Sequence, residues 1–460
     1  MMSPTFPPQL DSEPAINGAS SSVPSSAPSR QSSASLPSLP ESHRSIPISH
    51  TASWIRKVLA FAGPGYLVAV GYMDPGNWAT DIGGGSKFGY TLLSVILISN
   101  LMAMFLQALS AKLGIAMGRD LAQACREHYS RRTSIALWIV CEIAIAACDL
   151  AEVLGSAVAL KLLFGLPLLA GVIITGLDVL IVLALQGRGF RLIEAFVVTL
   201  IASIAACFAY EIFFSHPIWR EALVGLIPRA EILRNREMLY IAIGILGATV
   251  MPHNLYLHSS LVRTRQAAMT NAGKREAIRF ATVDVVISLA LAMVVNMAIL
   301  VLAGSAFHGS GYVTSDIADA YRLLEPIAGP SAAIIFGLAL LASGQSATFT
   351  GTIAGQVVME GFLDLSIPCW QRRIITRTLA IIPALGGVLW LGDHAVGKLL
   401  VLSQVILSLQ LPFALYPLIR FSTAQAIVGA LVPSGPVRAL AWGVFVLVTT
   451  ANAALVVTGL

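Results

Sequence analysis

The sequence predicts an all-α, polytopic membrane protein. Eleven transmembrane helices would be arranged as a 5+5 inverted repeat, with helices 1 and 6 broken. Three observations carry this. The 460-residue chain is 56% hydrophobic and only 12% charged, about half the charged share of an ordinary soluble protein. Eleven apolar stretches are long enough to cross a hydrocarbon layer of about 30 Å. The first and sixth of these are each interrupted by a proline set among polar residues.

Residues 1–50 hold 15 serines and 9 prolines. Such a composition buries too little apolar surface to offset the entropy of folding, so residues 1–53 are expected to be a disordered tail. It has no apolar core of a secretory signal. The transmembrane domain is expected over residues 54–460. Its spans are 57–80, 90–113, 134–163, 167–187, 192–213, 238–262, 281–305, 331–359, 374–394, 396–420 and 437–458. The repeats would cover about 54–215 and 236–420, with an extra helix at 437–459. If the N-terminus is cytoplasmic, 21 of the 29 Lys and Arg residues fall on the inner side, as the positive-inside rule requires. An odd span count then places Leu460 outside. The net charge of +5 is therefore a matter of inner loops and not of nucleic acid. Cys125, Cys141, Cys148, Cys207 and Cys369 form no CxxC pair or metal-finger spacing and read as packing residues.

The interruptions are GYMDPGNWATD at 71–81 and GATVMPHNLYLHSS at 247–260. Proline breaks a helix, and a carboxylate inside a bilayer is costly and functional by default. Two broken helices at matching positions of odd-numbered halves point to an inverted-repeat transporter with a midplane site. Asp74 supplies an anionic oxygen, Asn77 an amide oxygen and Met251 a thioether sulfur. Unwinding frees carbonyls just before each break, at Gly71 and Ala248. Oxygen alone suits Mg²⁺ or Ca²⁺, whereas sulfur adds affinity for softer metals. The set therefore reads as a site for a divalent transition metal.

A second group suits protons. His253 and His258 flank the break, and a histidine titrates near neutrality. Their spacing of five does not make a two-histidine zinc site, and structural hydrogen bonding is the other reading of both. The third span carries Glu142, Asp149 and Glu152, the last two sharing one helical face. The ninth begins with Arg372, Arg373 and Arg377, and an Asp149–Arg377 interaction is expected. Asp74, Glu142, Asp149, Glu152, His253, His258, Arg265 and Arg377 thus form a candidate proton pathway. A static salt-bridge network is the alternative.

At these residues the chain resembles the Nramp family of proton-coupled divalent metal transporters, and bacterial manganese transporters within it. DPGN at 74–77, MPHNLYLHS at 251–259, CDLAEVLGSA at 148–157 and GQSATFTGTIAGQVVMEGF at 344–362 carry the likeness, which runs from about residue 54 to 459. It implies a LeuT-like fold and metal coordination by Asp74, Asn77 and Met251 with the carbonyls of Gly71 and Ala248. It also implies Gln404 as a ligand in the occluded state, and proton movement through Asp149, Glu152 and His253. The expected activity is proton-coupled import of Mn²⁺, with Fe²⁺, Cd²⁺ and Co²⁺ as further substrates, across a bacterial inner membrane. No cofactor, enzymatic activity, nucleic-acid partner or obligatory oligomer is expected. Two positions depart from the family: Gly71 stands for a common alanine and Cys148 for the usual threonine. A sodium-coupled amino-acid symporter of the same fold is the runner-up, although Asp74 would repel a substrate carboxylate. An intramembrane metalloenzyme is a further alternative, without an HExxH motif to support it.

Overall fold

The computed structural model describes residues 38–40, 42–48, 53–177, 190–308, 316–328, 330–365, 369–392 and 396–458. The first half contains α1 (Trp54–Phe61), α2 (Pro64–Gly71), α3 (Pro75–Phe88), α4 (Leu93–Met117), α5 (Leu121–His128), α6 (Arg131–Phe164), α7 (Leu168–Gly176) and α8 (Phe190–Ser215). The second contains α9 (Arg236–Val250), α10 (Pro252–Leu261), α11 (Asn271–Ala306), α12 (Ile317–Ala328), α13 (Pro330–Leu363), α14 (Cys369–Leu391) and α15 (Val396–Thr423), followed by α16 (Gly435–Thr458). Two short strands, β1 (Ile46–Pro47) and β2 (Arg265–Gln266), pair in parallel.

Local sequence sets these boundaries. Asp120 opens α5 with a capping box closed by Gln123, which satisfies two otherwise orphaned N–H groups. Ser130 and Thr270 accept from the first turns of α6 and α11. Gly118 and Gly165, both left-handed, end α4 and α6, where a Cβ would be strained.

Each expected span coincides at least in part with a helix, but among the described residues eight helices are long and apolar enough to cross a membrane. The three exceptions have distinct reasons. The first span is divided into α1, α2 and α3. The fourth is described only over α7 and continues into residues outside the description. The ninth, α14, opens with arginines, and its side chains are described without interruption only over Ile381–Trp390, an apolar stretch.

Helix α3 reaches the centre of the bundle because Trp78 is wedged between Phe208 of α8 and Phe336 of α13, at ring separations of 4.8 and 5.1 Å. Close approaches of α6 to its neighbours occur where side chains are absent. A Cβ at Gly155 would collide with Pro75, and one at Gly344 of α13 with Ser156.

Part of the expected disordered tail is ordered. Leu39 and Ile46, isolated apolar residues in a serine- and proline-rich context, are buried; Ile46 and Pro47 pair with β2, and Leu39 lies at the end of α13.

Candidate metal site

The two breaks meet at the centre of the molecule. A helical carbonyl is normally paired with the N–H four residues on. Four residues after Gly71 stands Pro75, and four after Ala248 stands Pro252, neither of which has an N–H. This frees the Gly71 and Ala248 carbonyls in particular. Among the described residues, Gly71 O has the Asp74 N–H as its hydrogen-bonding neighbour, at 3.4 Å. At the first break the carbonyls of Tyr72 and Met73 are occupied. Tyr72 O accepts from Asn296 Nδ2 at 2.8 Å, and Met73 O accepts from Trp78 Nε1 and Ser343 Oγ.

Asp74, wholly buried, has a second task that composition did not reveal. It caps α3, with Oδ1 accepting from Asn77 N–H at 2.8 Å. That leaves Oδ2, whose neighbour is the Cys148 thiol at 3.9 Å. Asn77 Oδ1 is buried without a hydrogen-bond partner among the described residues, a state that costs about 1–3 kcal/mol unless something fills it.

Met251 joins α9 to α10 with φ of 38°. A bulky non-glycine residue in that region is strained, and strain of this kind concentrates at ligand sites. Its sulfur accepts from Asn254 Nδ2 at 3.3 Å and lies over Gly71, where a Cβ would come within 3.2 Å of it and within 2.6 Å of Asn254 Nδ2. The glycine at 71 therefore provides close approach of the two breaks as well as a carbonyl. Gln404 of α15 is buried against Gly76, its Oε1 unpartnered among the described residues. Asp74, Asn77, Gly71, Ala248, Met251 and Gln404 thus lie on or beside the two breaks.

The residues expected to carry protons divide into separate groups. Asp149 and Glu152 converge on α13, where a Cβ at Gly351 would lie 2.9 Å from Asp149 Oδ1 and 3.0 Å from Glu152 Oε1. Cys148 Sγ, 3.7 Å from Glu152 Oε1, links them to Asp74. His253 is buried at the start of α10, with Nδ1 unpartnered among the described residues. His258 has Nδ1 3.1 Å from both oxygens of Gln107, which donates to Tyr72 Oη, while its Nε2 is buried and unpartnered among the described residues. Glu142 accepts from Trp138 at 2.9 Å and lies ten residues, or about 15 Å along a helix, from Glu152. The side chains of Arg372, Arg373 and Arg377 lie outside the described residues, and the Asp149–Arg377 pair with them.

Arg265 belongs to another group. It pairs with Glu194 at 2.8 Å and donates to Ala62 O at 2.7 Å, while Asp284 accepts from Gly63 and Gly65 N–H at 3.3 and 2.6 Å. These residues tie the α1–α2 corner to α8, α11 and β2. The sequence reading missed Glu194 and Asp284, and also Asp81, which is buried on α3 seven residues after Asp74, with Oδ2 unpartnered among the described residues. The seven-residue spacing from Asp74, two helical turns, was the available signal for Asp81.

Residues 65–458 match the profile of the Natural resistance-associated macrophage protein-like family, Nramp. The chain belongs to the Nramp family. It is 58% identical over 426 residues to the divalent metal cation transporter MntH of Nostoc sp., covering 92% of this chain and 96% of that one. To MntH 1 of Pseudomonas aeruginosa it is 58% identical over 413 residues, covering 89% and 94%. A crystal structure of the Eremococcus coleocola manganese transporter superimposes with a TM-score of 0.84 at 41% identity, covering 90% of each chain. The fold is shared more widely: the nucleobase-cation symporter Mhp1 aligns with a TM-score of 0.56 at 15% identity. This Nramp chain is accordingly a multi-pass metal-ion transporter and not an enzyme.

Proposed function

We propose that this Nramp chain imports divalent transition-metal ions, Mn²⁺ foremost and Fe²⁺, Cd²⁺ and Co²⁺ besides, with protons, by alternating access across a bacterial inner membrane. The N-terminus is cytoplasmic and the C-terminus extracytoplasmic in this reading, in keeping with the basic inner loops.

The observation that carries the reading is the pairing of the breaks. A buried carboxylate stands at one break and a thioether held in a strained backbone at the other, with two prolines freeing carbonyls beside them. A divalent ion entering this site exchanges hydration for Asp74 Oδ2, Asn77 Oδ1, the carbonyls of Gly71 and Ala248 and the sulfur of Met251, and Gln404 joins as the site occludes. Hard and soft donors together favour mid-to-late divalent metals over Mg²⁺ and Ca²⁺. Proton movement runs from Asp74 past Cys148 to Glu152 and Asp149, with His253 alongside. The names of the relatives, divalent cation and manganese transporters, support the same substrate class.

The test is uptake of Mn²⁺, Fe²⁺, Cd²⁺ and Mg²⁺ into proteoliposomes with voltage clamped and pH set on each side. Uptake of the first three, accelerated by outside acid and accompanied by proton entry, is expected. Equal uptake of Mg²⁺, or indifference to the proton gradient, would overturn substrate choice or coupling respectively.

A further inference from the structure

Residues 38–40 and 42–48 precede the part of the chain that the family profile covers, yet they are bound to the molecule at the α1–α2 corner. Ile46 and Pro47 pair with Arg265 and Gln266. Arg44 N–H donates to Arg263 O at 3.0 Å, and Gln266 Nε2 to Arg44 O at 2.6 Å. Upstream, Leu39 enters the main core and its N–H donates to Glu360 Oε2 at 2.8 Å, at the end of α13. Downstream, Ile48 packs on the cluster of Phe61, Ala277 and Phe280. Leu39 and Arg44 adopt φ of 54° and 50°, conformations that persist only when surroundings over-determine them. Burial, followed by the Arg263 and Arg44 guanidiniums, pushes His43 below its ordinary value, so the segment docks with that ring neutral.

We propose that the seam between β2 and the end of α13 is a docking site for residues 38–40 and 42–48, and that the docked strap holds this end of the transporter closed. The same few residues bridge three parts that must separate for the site to open here: α13 through Glu360, β2 through the strand pair, and α1 through Phe61. Strand addition provides affinity through backbone bonds, and Leu39 and Ile46 fix the register. The strap lies over Arg265, whose bond to Ala62 O anchors the corner. Release of the strap is therefore a step in opening, and the tail sets how often this end opens. The proposal rests on the alternating-access reading for its effect on uptake, but not for its effect on access to the interior.

Pro47→Cys with Gln266→Cys places two thiols at paired positions, within the range a disulfide spans. Oxidation of the double variant should lower Mn²⁺ uptake about tenfold, reductant should restore it, and neither single variant should respond. A cysteine at Ala69, buried on α2, reports access. Deleting residues 1–49 should raise its labelling rate by a thiol reagent added on the side of the strap about fivefold, the shift about 1 kcal/mol provides. Leu39→Asp with Ile46→Asp should do the same in the full chain if the truncated protein fails to accumulate. Full uptake by the verified cross-linked protein, or unchanged labelling after the strap is removed, would overturn the proposal. Should the parent protein take up no metal, the transport reading fails, and the labelling arm still decides whether the strap closes this end.

Discussion

Cys148 Sγ lies 3.9 Å from Asp74 Oδ2, which sets a thiol against the oxygen of the central carboxylate that does not accept from Asn77. A thiol is a weak donor, so this oxygen is held loosely and competes little against an incoming ion. Cys148→Thr substitutes a stronger donor of similar size. A net gain of about 1 kcal/mol in that hydrogen bond should raise KM for Mn²⁺ by about fivefold with kcat little changed. Transport kinetics of the two proteins at saturating proton gradient would check this. An unchanged KM would mean that the thiol has no influence on Asp74.

Asp74 both caps α3 and offers charge, and two substitutions separate these roles. Asn is as good a cap as Asp, whereas Ala loses about 1 kcal/mol. Asp74→Asn should fold with near-native thermal stability yet fail to take up Mn²⁺, because no charged ligand remains to offset dehydration. Asp74→Ala should fail likewise and also unfold at lower temperature. Uptake by Asp74→Asn at the native rate would remove Asp74 from the site.

Glu152 and Asp149 share the space opened by Gly351, and the thiol of Cys148 connects them to Asp74. Glu152→Gln keeps the volume and one acceptor oxygen but ends protonation. Mn²⁺ affinity measured by calorimetry should stay within about threefold of the native value, a change below 1 kcal/mol, while proton entry during uptake falls away. Intact proton entry in this variant would assign the cluster to structure alone.

The architecture was legible because its determinants are local. Long apolar runs announce spans, and Pro75 and Pro252 place both breaks to the residue, since a missing N–H acts at a fixed distance of four. The first span's other break was also written, as Gly63-Pro64-Gly65, but its apolar surroundings hid it. What escaped is what depends on partners remote in sequence. Glu194 and Asp284 look like ordinary helix-end acids until the fold brings them to Arg265 and to the N–H groups of Gly63 and Gly65. Gln107, the neighbour of His258 Nδ1, is likewise remote from it in sequence. Leu39 and Ile46 are too sparse to signal order by composition, because their burial depends on a seam made by other helices. The positive φ of Met251 has no sequence signature.

Met251 is the residue that most narrows the substrate, and its strained backbone shows that the fold holds its sulfur in place at a cost of about 1–3 kcal/mol. Two substitutions divide volume from chemistry. Met251→Leu preserves packing without sulfur, and Met251→Ala removes both. The all-oxygen site that remains does not disfavour Ca²⁺ or Mg²⁺. Discrimination consists in attraction offered to one class of ion and withheld from another. Both variants should therefore retain part of their Mn²⁺ uptake, because manganese accepts oxygen ligands. Cd²⁺ uptake should fall most, by about tenfold relative to Mn²⁺, the equivalent of about 1.4 kcal/mol. Excess Ca²⁺, which should leave uptake by the native protein unchanged, should now compete. The measurement is Mn²⁺ and Cd²⁺ uptake by the three proteins, each with and without excess Ca²⁺. If Met251→Leu preserves the Cd²⁺-to-Mn²⁺ ratio and Ca²⁺ still fails to compete, the sulfur is packing beside the site, and selectivity must come from the oxygens and the size of the space they enclose.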